Sequence, residues 1–163
     1  MALLVQKFGG TSVGSVERIQ AVAQRIARCR ENGDDVVVVV SAMGHTTDEL
    51  TGLANALNAS PAQREMDMLL ASGEQVSSAL LAMALHSEGV AAVSMTGPQV
   101  GIATESTHGR ARILEIRIDR IHNRLSEGKG WWSPAFKAPA PAVMASMKSP
   151  PWAEADPTPQ LLL

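Results

Sequence analysis

The amino-acid sequence predicts an α/β sandwich on a mostly parallel sheet, from three observations. Short β-branched runs alternate with stretches of helical period. Glycine closes most of these segments. Val36 to Val40 is apolar at every position, the pattern of a strand buried on both faces. In chain order, Leu3 to Phe8 is a first strand ending at Gly9 and Gly10. Ile19, Val22, Ala23, Ile26 and Ala27 then recur at helical spacing, with Glu17 near the start and Arg28 and Arg30 near the end before Gly33. That charge placement suits the helix dipole. Val36 to Val40 is the second strand. Thr47, followed by Asp48 and Glu49, is expected to cap a helix running to about Ala59. Pro61 opens a longer helical stretch through Leu69, Leu70, Leu80, Leu81 and Leu85, which Gly89 ends. Val90 to Met95 reads as a third strand, and Ile113 to Ile118 alternates apolar with charged residues as a half-exposed strand does. Arg120 to Glu127 is a short helix stopped by Gly128.

Composition narrows the function classes. A chain of 163 residues with 45% hydrophobic content can bury one core. A net charge of −2 supplies no basic stripe for nucleic acid. The longest strongly apolar run, Val36 to Val40, is too short to cross a bilayer, and the opening residues lack the basic region of a signal peptide. With a single cysteine, Cys29, these features point to the cytoplasm. His45, His86, His108 and His122 show no metal-ligand spacing, among themselves or with Cys29, and are read as ordinary surface or core histidines. Met66, Met68 and Met83 are expected to fill gaps in the core.

A compositional break falls after Lys129. Trp131, Trp132, Trp152 and seven of the nine prolines follow it, whereas twelve of the thirteen glycines precede it. Residues 1–129 carry regular hydrophobic periods; residues 130–163 form a Pro/Ala/Ser stretch without period, expected to be an unstructured tail.

In a parallel sheet, ligands bind beyond the carboxyl ends of the strands. The turn Lys7, Phe8, Gly9, Gly10, Thr11, Ser12 joins such an end to a helix. Its two glycines allow close backbone approach to phosphate, amides at a helix start favour an anion, and Lys7 offers a mobile positive charge. The spacing is neither that of a P-loop nor G-x-G-x-x-G. The competing reading is a tight turn beside a solvated lysine.

Three motifs decide between these readings: V-Q-K-F-G-G-T-S-V-G (Val5 to Gly14), V-V-V-V-V-S-A-M (Val36 to Met43) and S-G-E-Q (Ser72 to Gln75). In this order and spacing, with M-T-G-P-Q-V-G-I (Met95 to Ile102) and A-R-I-L-E-I (Ala111 to Ile116), the chain resembles the aspartate kinases over about residues 2–129. The resemblance implies a three-layer α/β/α sandwich of the amino-acid kinase type, incomplete at its carboxyl end. It also implies transfer of the ATP γ-phosphate to the aspartate side chain, with Mg2+ accompanying ATP. Lys7, Phe8, Gly9, Gly10, Thr11 and Ser12 would hold the phosphates, with Lys7 catalytic and Ser41 facing that turn. Thr47 and Glu74 would hold L-aspartate, the Glu74 carboxylate meeting its α-ammonium group. The simpler readings make Ser41 a strand-end hydrogen bonder, Thr47 an N-cap and Glu74 a solvated helix charge. A full-length parent is expected to be a cytoplasmic homo-oligomer.

Past Lys129 the resemblance stops. Where the family has V-V-V-V-A-G-F-Q-G and then T-T-L-G-R-G-G-S-D-T, this sequence has Gly130, Trp131, Trp132, Ser133, Pro134 and no second glycine loop. Regrouping the codons by one base makes the TGG pair of Trp131 and Trp132 encode valine. Met144 with Ala145 then forces glycine, Met147 with Lys148 glutamate, and Trp152 with Ala153 glycine. Permitted codons elsewhere complete both family segments. The tail therefore reads as an out-of-frame continuation, and the expected consequence is a sheet lacking its central strand, with an exposed edge. Two alternatives stand beside an inactive aspartate kinase part: a noncatalytic nucleotide-binding fragment, and an interaction protein with a Pro/Trp-rich tail.

Overall fold

The computed structural model describes residues 2–117, Asp119 and, by its backbone, the segment Gly130–Pro134. Its elements alternate as the sequence predicts: β1 (Leu3–Phe8), a 3-10 turn (Gly10–Val13), α1 (Val16–Glu31), β2 (Asp35–Val40), α2 (Thr46–Leu57), α3 (Gln63–Ser87), β3 (Ala92–Ser94), β4 (Ile102–Thr104), β5 (Ile113–Ile116) and β6 (Gly130–Pro134). The expected helix at Arg120 to Glu127, Ile118, and residues 135–163 of the expected tail lie outside the described residues.

Capping explains where α1 lies. The Ser15 side chain accepts from the Arg18 amide, and Asn32 and Gly33 return their N–H groups to Arg28 and Arg30 carbonyls. Gly33 has φ +83°, the left-handed conformation that a helix stop of this kind favours. Ile19, Val22, Ala23, Ile26 and Ala27 are buried, as their spacing predicts. α3 ends the same way at Gly89, φ +72°. Its 25 residues are long and apolar enough to cross a membrane, a feature hidden from a search for unbroken apolar runs. Leu81, Ala82 and Leu85 of this helix instead join the core cluster.

The main sheet is parallel with strand order β1-β2-β6-β3. Val36, Val38 and Val40 meet Ile26 of α1 and Leu81 and Leu85 of α3 on one face. Val37 points the other way, into a smaller cluster with Val100, Val93, Met95 and Ile102. β2 is thus buried on both faces, as its uniform composition requires. Among the described residues α1 and α3 cover the same face; a second helical layer is not supplied by them.

Several expectations change. The slot between β2 and β3 is occupied: Val37 pairs with Trp131, and Ala92 with Gly130. Ladder pairing uses backbone groups, which residues outside the family pattern still provide. Pro134 is tolerated because β3 ends at the level of Trp132, leaving Pro134 a neighbour, Val40, on one side alone. Among the described residues the sheet therefore extends five residues past Lys129, with β6 in the place between β2 and β3. β5 is exposed along its whole length and pairs antiparallel with β4, a three-residue strand that the sequence did not announce. Met68 (42% exposed) and Met83 (62%) lie outside the core, because composition does not reveal which helix face a methionine occupies.

Candidate functional site

The carboxyl ends of β1 and β2 lie side by side because the strands run in register from Leu3 opposite Asp35 to Phe8 opposite Val40. Ser41 donates its amide to the Phe8 carbonyl at 3.1 Å, bringing the end of β2 against the Lys7 turn. The turn itself differs from expectation. Thr11 and Ser12 lie in the 3-10 turn, and α1 starts four residues after Ser12, at Val16. The Ser12 amide is already committed to the Gly9 carbonyl at 2.9 Å. Phosphate at this turn would therefore meet the Gly9–Thr11 backbone and Lys7 without the α1 dipole directly behind it.

Two other glycines complete the assembly. A Cβ on Gly10 would stand 2.6 Å from the Ala42 carbonyl oxygen, so only glycine lets the turn seat against the loop after β2; Gly44 returns its amide to the Gly10 carbonyl at 3.0 Å. A Cβ on Gly73 would lie 3.1 Å from Thr46 Cγ2 and 3.2 Å from Ala42 Cβ. α3 can thus press on the segment from Ala42 to Thr46, which carries Glu74 to the stretch bounded by Ser41 and Thr47. Three motifs far apart in sequence converge through two small-residue contacts. Gly9 differs, since a Cβ there would meet nothing within 4 Å. It leaves open space over the turn, as a ligand approaching the backbone needs.

Individual side chains stand as follows. Lys7 is exposed and Phe8 buried at the end of β1; Ser41 and Glu74 are half-buried. Glu74 is engaged with other residues of the fold. Thr47 is exposed and sits inside the first turn of α2, not at its cap: His45 takes that position, without a side-chain capping bond. His45 Nδ1 and an Asp48 carboxylate oxygen approach to 3.7 Å with both side chains exposed, a contact worth little.

An open groove of about 850 Å³ runs from the turn along β1, lined by Val5, Gln6, Lys7, Thr11, Arg18 and Arg25 among others. Arg18 donates to the Thr11 carbonyl, and the Arg25 guanidinium lies 6.0 Å from the Phe8 ring centroid. Sequence reading missed both arginines, which on a helix look like ordinary solvated charges; their i, i+7 spacing on the side facing β1 was the available signal. The chain also carries a buried carboxylate that no motif indicated. Asp67, 4% exposed, accepts the Gly109 amide at 2.9 Å and faces His108 Nδ1 at 3.2 Å, fastening the loop between β4 and β5 onto α3. Near the start of α1, hydrogen bonds from the Ser15 side chain first, and from its own backbone amide second, hold the Glu17 carboxyl below the usual carboxylate range. Among the described residues no three His, Cys, Asp or Glu side chains are grouped to hold a metal ion.

Known proteins resemble this chain over most of its length. The aspartokinase of Geobacillus stearothermophilus is 62% identical over 128 residues, 78% of this chain and 31% of that protein. Aspartokinase 2 of Bacillus subtilis is 57% identical over 129 residues, 79% of this chain and 32% of that protein. Aspartate kinase from Synechocystis superposes with a TM-score of 0.70 at 56% identity, covering 80% of this chain and 21% of that one. The chain thus spans about a third of the length of the curated relatives it matches. The profile of the Amino acid kinase family matches residues 2–134, ending at the last residue of β6. With its parallel sheet, its glycine turn and this match over most of its length, the chain belongs to the amino acid kinase family.

Proposed function

We propose that this chain is the amino-terminal part of an aspartate kinase catalytic domain, the enzyme that forms 4-phospho-L-aspartate from aspartate and ATP at the head of lysine, threonine and methionine biosynthesis. The observation that carries this reading is the convergence of the Lys7–Ser12 turn, the Ser41–Thr47 segment and Glu74 through Gly10 and Gly73. The Lys7 ammonium neutralises charge on the phosphoryl group, and the Gly9–Thr11 backbone positions it. Glu74 accepts the α-ammonium of aspartate, with Thr47 beside it. A side-chain carboxylate oxygen of aspartate attacks the γ-phosphorus as the bond to the β-bridging oxygen breaks and ADP leaves. The carboxylate is already ionised at neutral pH, so no protein base is needed, and positioning with charge neutralisation supplies the rate. Mg2+ enters with ATP. The setting is the cytoplasm and the full-length parent a homo-oligomer.

The 163 residues contain no T-T-L-G-R-G-G-S-D-T loop, so the chain alone is expected to bind MgATP without phosphorylating aspartate. Titration with MgATP tests this: binding that weakens about tenfold or more in Lys7→Ala, a loss of at least about 1.4 kcal/mol, supports the site. Unchanged binding in Lys7→Ala refutes it. The reading as an interaction protein with a Pro/Trp-rich ligand loses support at Gly130–Pro134, whose backbone is paired inside the sheet.

A further inference from the structure

The turn from Gly9 to Ser12 has no α-helix start directly behind it, because α1 begins only at Val16. A turn that meets an anion with its amides must keep its carbonyl oxygens turned away or neutralised. The peptide joining Thr11 to Ser12 does both. Its N–H donates from Ser12 to the Gly9 carbonyl at 2.9 Å, and its carbonyl oxygen on Thr11 accepts from Arg18 Nη1. The central peptide plane of the turn is therefore held from both sides.

Arg18 is itself fixed at its backbone, where its amide donates to Ser15 Oγ at 3.3 Å. It stands in the first turn of α1, where a cation opposes the helix dipole and adds nothing to the helix. What the position offers instead is a reach back over seven residues to Thr11, together with a positive charge in the groove beside Lys7. A planar guanidinium suits this use, since it donates in a fixed direction and stays charged at any working pH. We propose that Arg18 is a positioning residue for the phosphate turn: by holding the Thr11 carbonyl it keeps the Gly9–Ser12 backbone in the shape that receives the phosphates of MgATP. The inference rests on the nucleotide reading above, and adds a residue that acts through the backbone of the turn.

The test titrates MgATP into the full chain and into Arg18→Ala, Arg18→Lys and Lys7→Ala, and follows amide hydrogen exchange of the nucleotide-free proteins by NMR. Arg18 is exposed, so its replacement leaves the core intact, and an unchanged urea midpoint checks this. The expected result is binding weakened about threefold to tenfold in Arg18→Ala, with part of the loss recovered in Arg18→Lys, which keeps the charge and a donor. Without nucleotide, Arg18→Ala should also speed exchange at Ser12, whose amide belongs to the held peptide, while Ile26 in the core of α1 keeps its rate. A side chain that only touched phosphate would leave that exchange alone. Binding equal to that of the unsubstituted chain, or weakened binding with unchanged exchange at Ser12, therefore overturns the proposal. Lys7→Ala tells the two readings apart: a loss there without one in Arg18→Ala keeps the nucleotide site and removes the role of Arg18, whereas no loss in either removes the site and that role with it.

Discussion

The two faces of the sheet are built from the same strands and are in opposite conditions. On one face Val36, Val38 and Val40 pack with Ile26, Leu81 and Leu85, each at most 1% exposed. On the other, Val37 is covered by Val100, while Leu3 and Val5 stand open to solvent. The first face holds these residues folded; the second, among the described residues, stays largely open along β1. The glycines of the turn repeat this division in miniature. Gly10 faces packed backbone and Gly9 faces empty space, so the fold requires glycine at the first position and not at the second.

The largest effect that would break this contrast is a cavity. Ile26→Ala or Leu81→Ala is expected to cost about 2–5 kcal/mol, against roughly 0.5 kcal/mol or less for Leu3→Ala, both read from urea denaturation. Equal costs on the two faces would show that the open one is packed. Next, Gly10→Ala must move the Ala42 carbonyl and is expected to destabilise by about 1–3 kcal/mol. Gly9→Ala should leave stability unchanged and weaken MgATP binding, separating the two roles. Asp67→Ala strips the Gly109 amide of its acceptor, at about 1–3 kcal/mol. Its readout is faster hydrogen exchange at Gly109, with the amides of α1 unaffected. The smallest effect concerns pH. Because Glu17 titrates below its ordinary range in the folded chain, it stabilises the fold above its unfolded pKa. That contribution is lost as pH falls through its lowered folded value. Glu17→Gln should slightly flatten the acid limb of stability against pH, and an identical limb would remove the assigned hydrogen bonds.

Much of the fold was legible because local signals agreed. The β-branched run of β2, the five buried positions of α1 and the stops at Gly33 and Gly89 each follow from short-range chemistry. Their convergence into one site was legible only through resemblance, since no spacing in the sequence says that Gly73 touches Ala42 and Thr46. Residues that act through tertiary neighbours escaped notice: Asp67 fastens a loop 42 residues away, and Arg18 and Arg25 matter because β1 lies opposite. Gly130–Pro134 misled for the complementary reason. Its composition argues against a central strand, yet a parallel slot between β2 and β3 accepts backbone with little regard to side-chain type. Asp48 and Glu49 give Thr47 the sequence signature of a cap, and the cap position falls two residues earlier, at His45.

The most direct test of the central claim restores one base after the Lys129 codon, expresses the resulting reading frame, and assays aspartyl hydroxamate from aspartate and MgATP. The account predicts product from the restored protein, and loss of it in Glu74→Gln. A restored protein that folds, binds MgATP and forms no aspartyl hydroxamate would contradict it.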